Sequence, residues 1–340
     1  MKFPKLTIKD VPIENQTVLL RADYNVPLDL EGNISDDFRI RASLPTIRYL
    51  LDQHCKIVII SHLGRPDGKR QKKYSLEPVA ERLEKLLDRK VNFVDDCVGD
   101  KVLQAVKKST PNTITLLENL RFHKEEEEND EGFAKQLAAS SVARYFVQDG
   151  FGVVHRAHAS TDSITHYLPS VAGLLLKDEY VALKSGVDDP KKPLIAVVGG
   201  AKIKDKIDMI KRFIDIADKI IVGGAMANTF LAYKGIDMGK SVREKYQNKI
   251  LDEIYQAANK KSDDSVEDFI ILPKDAAVAK RISTASKRRN VNLGQIESDD
   301  MVLDIGDRSI DRMVEEVSKA KTVIWNGTLG YAELPEFAHG

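Results

Sequence analysis

The sequence predicts an α/β protein: two doubly wound, parallel-sheet domains of Rossmann-like type joined by a helix. Three observations carry this prediction. Short β-branched runs alternate with amphipathic helical patterns along the chain. The length, 340 residues, corresponds to about two domains. The alternation falls into two sets around one apolar-periodic segment, residues 171–187, which stops at Asp188-Asp189-Pro190.

In the first set, strands are expected at Thr17–Ala22, Lys56–Ser61, Val91–Val94, Thr113–Leu117 and Arg144–Gln148. Their near-continuous apolar character suits strands buried on both faces of a parallel sheet. Helical patterns at Phe38–Leu51 and Leu76–Leu87 lie between them, with Asp36 and Asp37 as cap and first-turn acids of the first. In the second set, strands are expected at Leu194–Gly199, Lys219–Val222, Asp268–Leu272 and Thr322–Trp325, and helices at Lys202–Ile214, Ala225–Tyr233, Lys245–Lys260 and Ser309–Ala320. The division is therefore 1–172 for the first domain, 173–190 for a connecting helix and linker, and 191–340 for the second domain.

Composition narrows the function classes. Lys+Arg and Asp+Glu both number 52, so the formal net charge is zero. That balance argues against a chain that coats nucleic acid or an anionic membrane. No apolar run approaches the ~20 residues that span a bilayer, and the polar N-terminus lacks the apolar core of a signal peptide. The two cysteines, Cys55 and Cys97, form no CxxC, so neither a disulfide framework nor a cysteine zinc site is expected, and a reducing cytoplasm is the expected location.

The chemistry is expected where each parallel strand ends, because ligands of open parallel sheets bind beyond the strands' carboxyl ends. In the first half these positions carry Asp23 and Asn25, then His62 and Arg65, then Arg121, then Arg156, while Arg39 opens the first helix. Guanidinium groups grip phosphate or carboxylate through a planar fork, so their convergence predicts a site for a small, highly anionic ligand. A single strand-end arginine is usually a surface ion-pair partner; four at successive strand ends weaken that reading. In the second half the strand ends are glycine-rich: Gly199-Gly200-Ala201, Gly223-Gly224 and Asn326-Gly327. Glycine lets the backbone approach a base or phosphate closely. Lys202 and Lys206, four residues apart at an expected helix N-terminus, predict a nucleotide phosphate cradle.

Other motifs weigh less. Gly235–Ser241 approximates a GxxxxGK[ST] loop, but it is one residue short and no strand leads into it. His155 and His158 lack a third metal ligand and are expected to serve structure or ligand contact. The run Glu125–Glu128 is expected to be a solvated helix start.

Several strings closely resemble phosphoglycerate kinase: RADYNVPLD (21–29), DDFRIRASLPTIRYL (36–50), SHLGRP (61–66), LLENLRFHKEEE (116–127), HRAHAST (155–161), VVGGAKIKDKI (197–207), VGGAMANTFL (222–231), LDIGDRS (303–309) and IWNGTLG (324–330). The resemblance implies a two-domain, hinge-bending, monomeric kinase of glycolysis and gluconeogenesis. It would interconvert 1,3-bisphosphoglycerate plus ADP with 3-phosphoglycerate plus ATP, using Mg2+ bound to the nucleotide. It implies that Asp23, Asn25, Arg39, His62, Arg65, Arg121 and Arg156 bind the triose. Arg39 and Lys202 would face the transferring phosphoryl group, and Lys206 would hold nucleotide phosphates beside Gly200, Ala201, Gly223 and Gly224. Glu333 would bind the ribose near Asn326 and Gly327. Family members continue beyond the point matched by Gly340 with a glycine-rich stretch whose Asp binds magnesium. The resemblance therefore implies no metal ligand within these 340 residues and an incomplete second domain. The alternative it leaves is a chain that captures 3-phosphoglycerate with impaired turnover. Val302, Thr328 and Ala332 depart from the family pattern of glycine, proline and an aromatic, and bear on nucleotide affinity.

Overall fold

The computed structural model describes residues 3–29, 31–261 and 265–340. The chain divides into two compact units, Met1–Leu183 and Lys184–Gly340.

The first unit runs β1 (Thr17–Arg21), α1 (Phe38–Asp52), β2 (Lys56–Ile60), α2 (Glu77–Leu87), β3 (Val91–Val94), α3 (Asp100–Lys107), β4 (Ile114–Leu117), α4 (Glu131–Ser141), β5 (Tyr145–Gln148), β6 (Ser170–Ala172) and α5 (Leu174–Asp188), whose last residues belong to the second unit. Its six strands form one parallel sheet in the order β3-β4-β2-β1-β5-β6. Strand alternation covers both faces. Val18, Leu20, Ile57 and Ile59 enter one apolar cluster with α1 and α2, while Leu19, Val58 and Ile60 enter another with α3 and α4. This two-sided burial is why these strands read as unbroken apolar runs. Both cysteines are buried here, and burial raises both thiol pKa values, Cys55 to about 11.

The second unit continues with β7 (Leu194–Val198), α6 (Ile207–Ile216), β8 (Lys219–Val222), α7 (Gly224–Tyr233), α8 (Asn248–Lys261), α9 (Val266–Phe269), β9 (Ile270–Ile271), β10 (Asp275–Ala279), β11 (Arg289–Asn292), β12 (Met301–Ile305), α10 (Asp307–Ser318) and β13 (Thr322–Asn326). A parallel sheet β13-β7-β8-β9 is accompanied by an antiparallel sheet β11-β10-β12. β7 is again buried on both faces, Leu194, Ala196 and Val198 on one side and Ile195 and Val197 on the other. The sole tryptophan, Trp325, lies on β13 and is half-exposed.

Observed strand ends mostly fall within one residue of the expected ones. The departures have local causes. The segment expected as one helix over 171–187 begins as β6, which pairs with β5, and turns helical only at Leu174. The strand expected over 268–272 keeps two residues because Val266–Phe269 is helical. The helix expected from Lys202 starts at Ile207, so Lys202 and Lys206 do not share a helical face; Lys202 lies in the preceding turn, and Lys206 is the N-cap. Asp37 makes no cap hydrogen bond, because its carboxylate pairs with Arg41 and Arg82 at 2.8 and 2.6 Å. The Glu125–Glu128 run is not a solvated helix start. It borders a 3-10 turn, Lys124–Glu126, in which Glu126 is fully buried.

Asp149, at the end of β5, is also fully buried and accepts a hydrogen bond from the Leu176 N–H of α5 at 3.1 Å. Burial raises its pKa to about 6, against hydrogen bonds that lower it. A carboxyl whose folded pKa lies above its unfolded value contributes fully at low pH and loses that contribution as pH rises through the folded pKa. Asp149→Asn keeps an acceptor but cannot ionise. Between pH 4 and pH 8 the variant should gain about 2.4 kcal/mol relative to the wild type, from a little under two pKa units at 1.36 kcal/mol each. Urea unfolding at both pH values reads this, and a pH-independent difference would contradict it.

Candidate functional sites

In the first unit, the loops after β1, β2 and β4 are tied together by a small set of hydrogen bonds. Asn25 Oδ1 accepts from Gly64 N at 2.8 Å. Arg121 Nη1 donates to Gly64 O at 2.8 Å. The buried Asn119 side chain donates to Leu63 O (2.7 Å) and Tyr74 O (2.9 Å) and accepts from Arg121 N (3.0 Å). Gly64 has φ +62° and lies against the Tyr74 ring, so the turn that carries Arg65 needs glycine for both conformation and space.

The basic side chains differ in how far they are neutralised. Arg39 pairs with Asp23, and Arg121 pairs with Glu127 at 3.1 Å. Among the described residues Arg65 and Arg156 make no ion pair. Arg21, Arg65 and Arg156 each act electrostatically on Arg121 or on one another's neighbours. Burial, then Arg156 and Arg65 among the like charges, lowers the Arg121 pKa, while Glu127 opposes the shift. His62 is 4% exposed, and burial first, then Arg21, Arg121 and Arg156, push its pKa far down, so it is neutral at pH 7. Cations gathered with too few carboxylates form a ready anion site.

Sequence reasoning missed two members. Arg21 is 1% exposed and donates through Nη2 to His62 Nδ1 at 3.2 Å; its place as the last residue of β1 was the available signal. Asn119 was legible only as one more strand-end residue. His155 is exposed, and His158 Nδ1 lies 3.8 Å from Glu126 Oε1.

In the second unit three glycine turns are laced by their backbones. Gly199 N donates to Asn326 O (2.8 Å), Gly200 N to Thr328 O (3.0 Å), Gly224 N to Leu329 O (2.9 Å) and Met226 N to Gly200 O (2.8 Å). Lys206 Nζ donates to Gly199 O at 2.8 Å, and burial lowers its pKa. Beside these turns lies a cavity of about 220 Å³. Gly200, Ala201, Gly224 and Glu333 line it, with Val302 and Leu303 of the antiparallel sheet as its apolar wall. Gly223, Asn326 and Gly327 lie in these turns and Lys206 reaches them through its Nζ, but none of the four is in the lining, and Lys202 is exposed. The Gly235–Ser241 segment follows α7, not a strand, and Ser241 Oγ accepts from Val302 N at 2.8 Å, so its role is to support β12.

Three carboxylates, Asp275, Asp304 and Glu333, line this cavity. Asp275 spends its oxygens on Ser309 and on Arg308 N, and Asp304 on Arg288, His339 N and Gly340 N.

Gly224 has φ +63°, and a Cβ there would stand 2.7 Å from Gly200 N and 2.8 Å from Thr328 O. Gly224→Ala should destabilise the second unit by about 1–3 kcal/mol. Denaturant unfolding followed by Trp325 fluorescence measures this; an unchanged midpoint would show that the turns tolerate separation.

A family model for phosphoglycerate kinase matches residues 8–340. The chain is 45% identical over 336 residues to a phosphoglycerate kinase of Moorella thermoacetica, covering 99% of this chain and 84% of that protein. It is similar to the solved structure of phosphoglycerate kinase from Coxiella burnetii, with TM-score 0.76, 36% identity and coverage of 99% of this chain and 83% of that one. The enzyme from Pyrococcus horikoshii gives TM-score 0.83 and 31% identity over 98% and 84% of the two chains. With the strand-end arginines in one unit and the glycine-lined cavity in the other, these matches make the chain a member of the phosphoglycerate kinase family.

Proposed function

We propose that the chain catalyses reversible phosphoryl transfer between 1,3-bisphosphoglycerate plus ADP and 3-phosphoglycerate plus ATP, with a carboxylate as the acceptor and Mg2+ carried by the nucleotide. Family membership makes it a nucleotide-using kinase of glycolysis. The observation that carries the finer reading is the strand-end cluster, in which Arg65 and Arg156 have no carboxylate partner among the described residues while His62 is neutral. A polyanion of triose size supplies the charge such a cluster lacks. In this reading Asp23, Asn25, Arg39, His62, Arg65, Arg121 and Arg156 hold the triose. The nucleotide contacts Gly200, Ala201, Gly223, Gly224, Lys206, Asn326, Gly327 and Glu333.

The chemistry asks little covalent work of the protein. A carboxylate acceptor has no proton to lose, so no general base is needed, and catalysis rests on positioning and on charge stabilisation. Arg39 and Lys202 are the cations assigned to the phosphoryl oxygens. The acyl phosphate hydrolyses where water has free access, which favours a hinge-bending enzyme that closes over its substrates. We assign residues 1–172 to the triose domain, 173–190 to the connection and 191–340 to the nucleotide domain, in a cytoplasmic monomer. Among the described residues no helix is long and apolar enough to cross a membrane. Triose capture with impaired turnover is the less favoured reading, since the family match runs through both units.

Acyl-phosphate formation from 3-phosphoglycerate and MgATP, trapped with hydroxylamine, tests the assignment; triose binding without trapped product would overturn it. Arg39→Ala should lower turnover at least ~100-fold, the scale of losing a transition-state cation, and leave ADP affinity within twofold. Equal losses of both would contradict the division of labour.

A further inference from the structure

Glu126 sits in a run of four glutamates, yet its side chain is fully buried while Glu127 and Glu128 are exposed. Burying a carboxylate is costly unless hydrogen bonds and a counter-charge meet it. Both are present. Glu126 Oε2 accepts from Ser160 N at 3.0 Å, and Oε1 accepts from Ser160 Oγ at 2.6 Å. The Glu126 backbone carbonyl accepts from Ala159 N at 2.9 Å. Glu126 therefore docks the loop that carries Arg156.

The counter-charge lies one step further in. Ser160 Oγ accepts from Arg21 Nε at 2.9 Å. Arg21 is itself buried, and Glu126 is the leading charge that opposes the lowering of the Arg21 pKa by burial. The Arg21 Nη1 donates to Ala22 O at 2.6 Å, and Nη2 faces His62 Nδ1 at 3.2 Å. A guanidinium group has only donors. The imidazole nitrogen that faces it must therefore accept, and the ring proton must sit on Nε2.

We propose that Glu126 and Ser160 are positioning residues of the triose site: through Arg21 they hold His62 as a neutral imidazole with its proton on Nε2, and they fix the loop bearing Arg156. The proposal rests on the triose reading of this patch. Its consequence is that His62 meets an anion as a hydrogen-bond donor already formed, so binding needs no proton uptake at this residue. The other ionisable groups that face His62, namely Arg121, Arg156 and His158, all disfavour its protonation. They do not choose the tautomer; Arg21 does.

Long-range 15N–1H correlation NMR of the full chain without ligand reads the tautomer directly, with the His62 signals assigned by their loss in His62→Gln. The expected result is an unprotonated Nδ1 and a protonated Nε2 from pH 5.5 to 8. Ser160→Ala and Glu126→Gln should each let the second tautomer appear and raise the triose KM about tenfold, with nucleotide KM within twofold. Glu126→Asp should recover part of the triose KM. If Glu126→Gln fails to fold, Ser160→Ala alone decides, because it leaves the bond from Ser160 N to Glu126 available. Protonated Nδ1 in an active wild type would overturn the relay. A lower melting temperature with unchanged tautomer and triose KM would reduce both residues to structural ones. The expected tautomer in a wild type that binds no 3-phosphoglycerate would retire the triose reading and the positioning role with it.

Discussion

Parallel strands all end on the same side of their sheet, and each must be followed by a turn that leads the chain away. Whatever residues occupy those turns are collected along one rim, whether or not they are close in sequence. In the first unit the rim gathers the segments after β1, β2, β4 and β5, and the arginines of the patch come with them. In the second unit the same constraint brings the turns after β7, β8 and β13 within backbone hydrogen-bond distance of each other. One geometric rule thus produces two different surfaces, and side-chain chemistry decides between them. Guanidinium groups make one rim cationic; absent side chains make the other permeable to close approach.

Concentrating positive charge has a cost that the first unit meets in layers. Outermost, Arg65 is exposed and Arg156 half-buried, both without an ion-pair partner among the described residues, so that solvent screens part of their repulsion. Between them, Arg39 and Arg121 each have a carboxylate partner. Innermost, Arg21 is enclosed and depends on neutral acceptors, with Glu126 reached through Ser160. Asn119 works differently. It carries no charge, yet its single side chain joins three chain segments, which keeps the Arg121 backbone in place against the pull of any bound anion.

Elements buried on both faces were legible because their apolar runs need no partner to be recognised. Strand-end arginines and glycines were legible for a related reason: they stand next to those runs. What escaped had weaker local signals. β10 is DAAVA and β11 is RNVN, too short and too small or polar to declare a strand, and only the pairing of β10 with β11 on one side and β12 on the other makes them a sheet. That sheet supplies one wall of the cavity, so the pocket's shape was invisible where its glycines were not. Glu126 is the sharper case. Nothing distinguishes it from Glu125, Glu127 or Glu128 in sequence; its partners are 34 residues away at Ser160 and, through it, at Arg21. Lys202 was misread for the opposite reason, since a sound helical period was extended one turn beyond the place where Gly200, at φ +94°, sets a turn.

The distribution of two uncommon residue types has a practical side. Cys55 and Cys97 both lie inside the first unit, with thiols that burial keeps protonated, and Trp325 lies on β13 of the second. A thiol-reactive dye therefore couples only when the first unit opens, while indole emission follows the second. Without any engineered label, the chain carries two orthogonal optical clocks, one for each half, and the order in which the halves come apart can be read from a single sample.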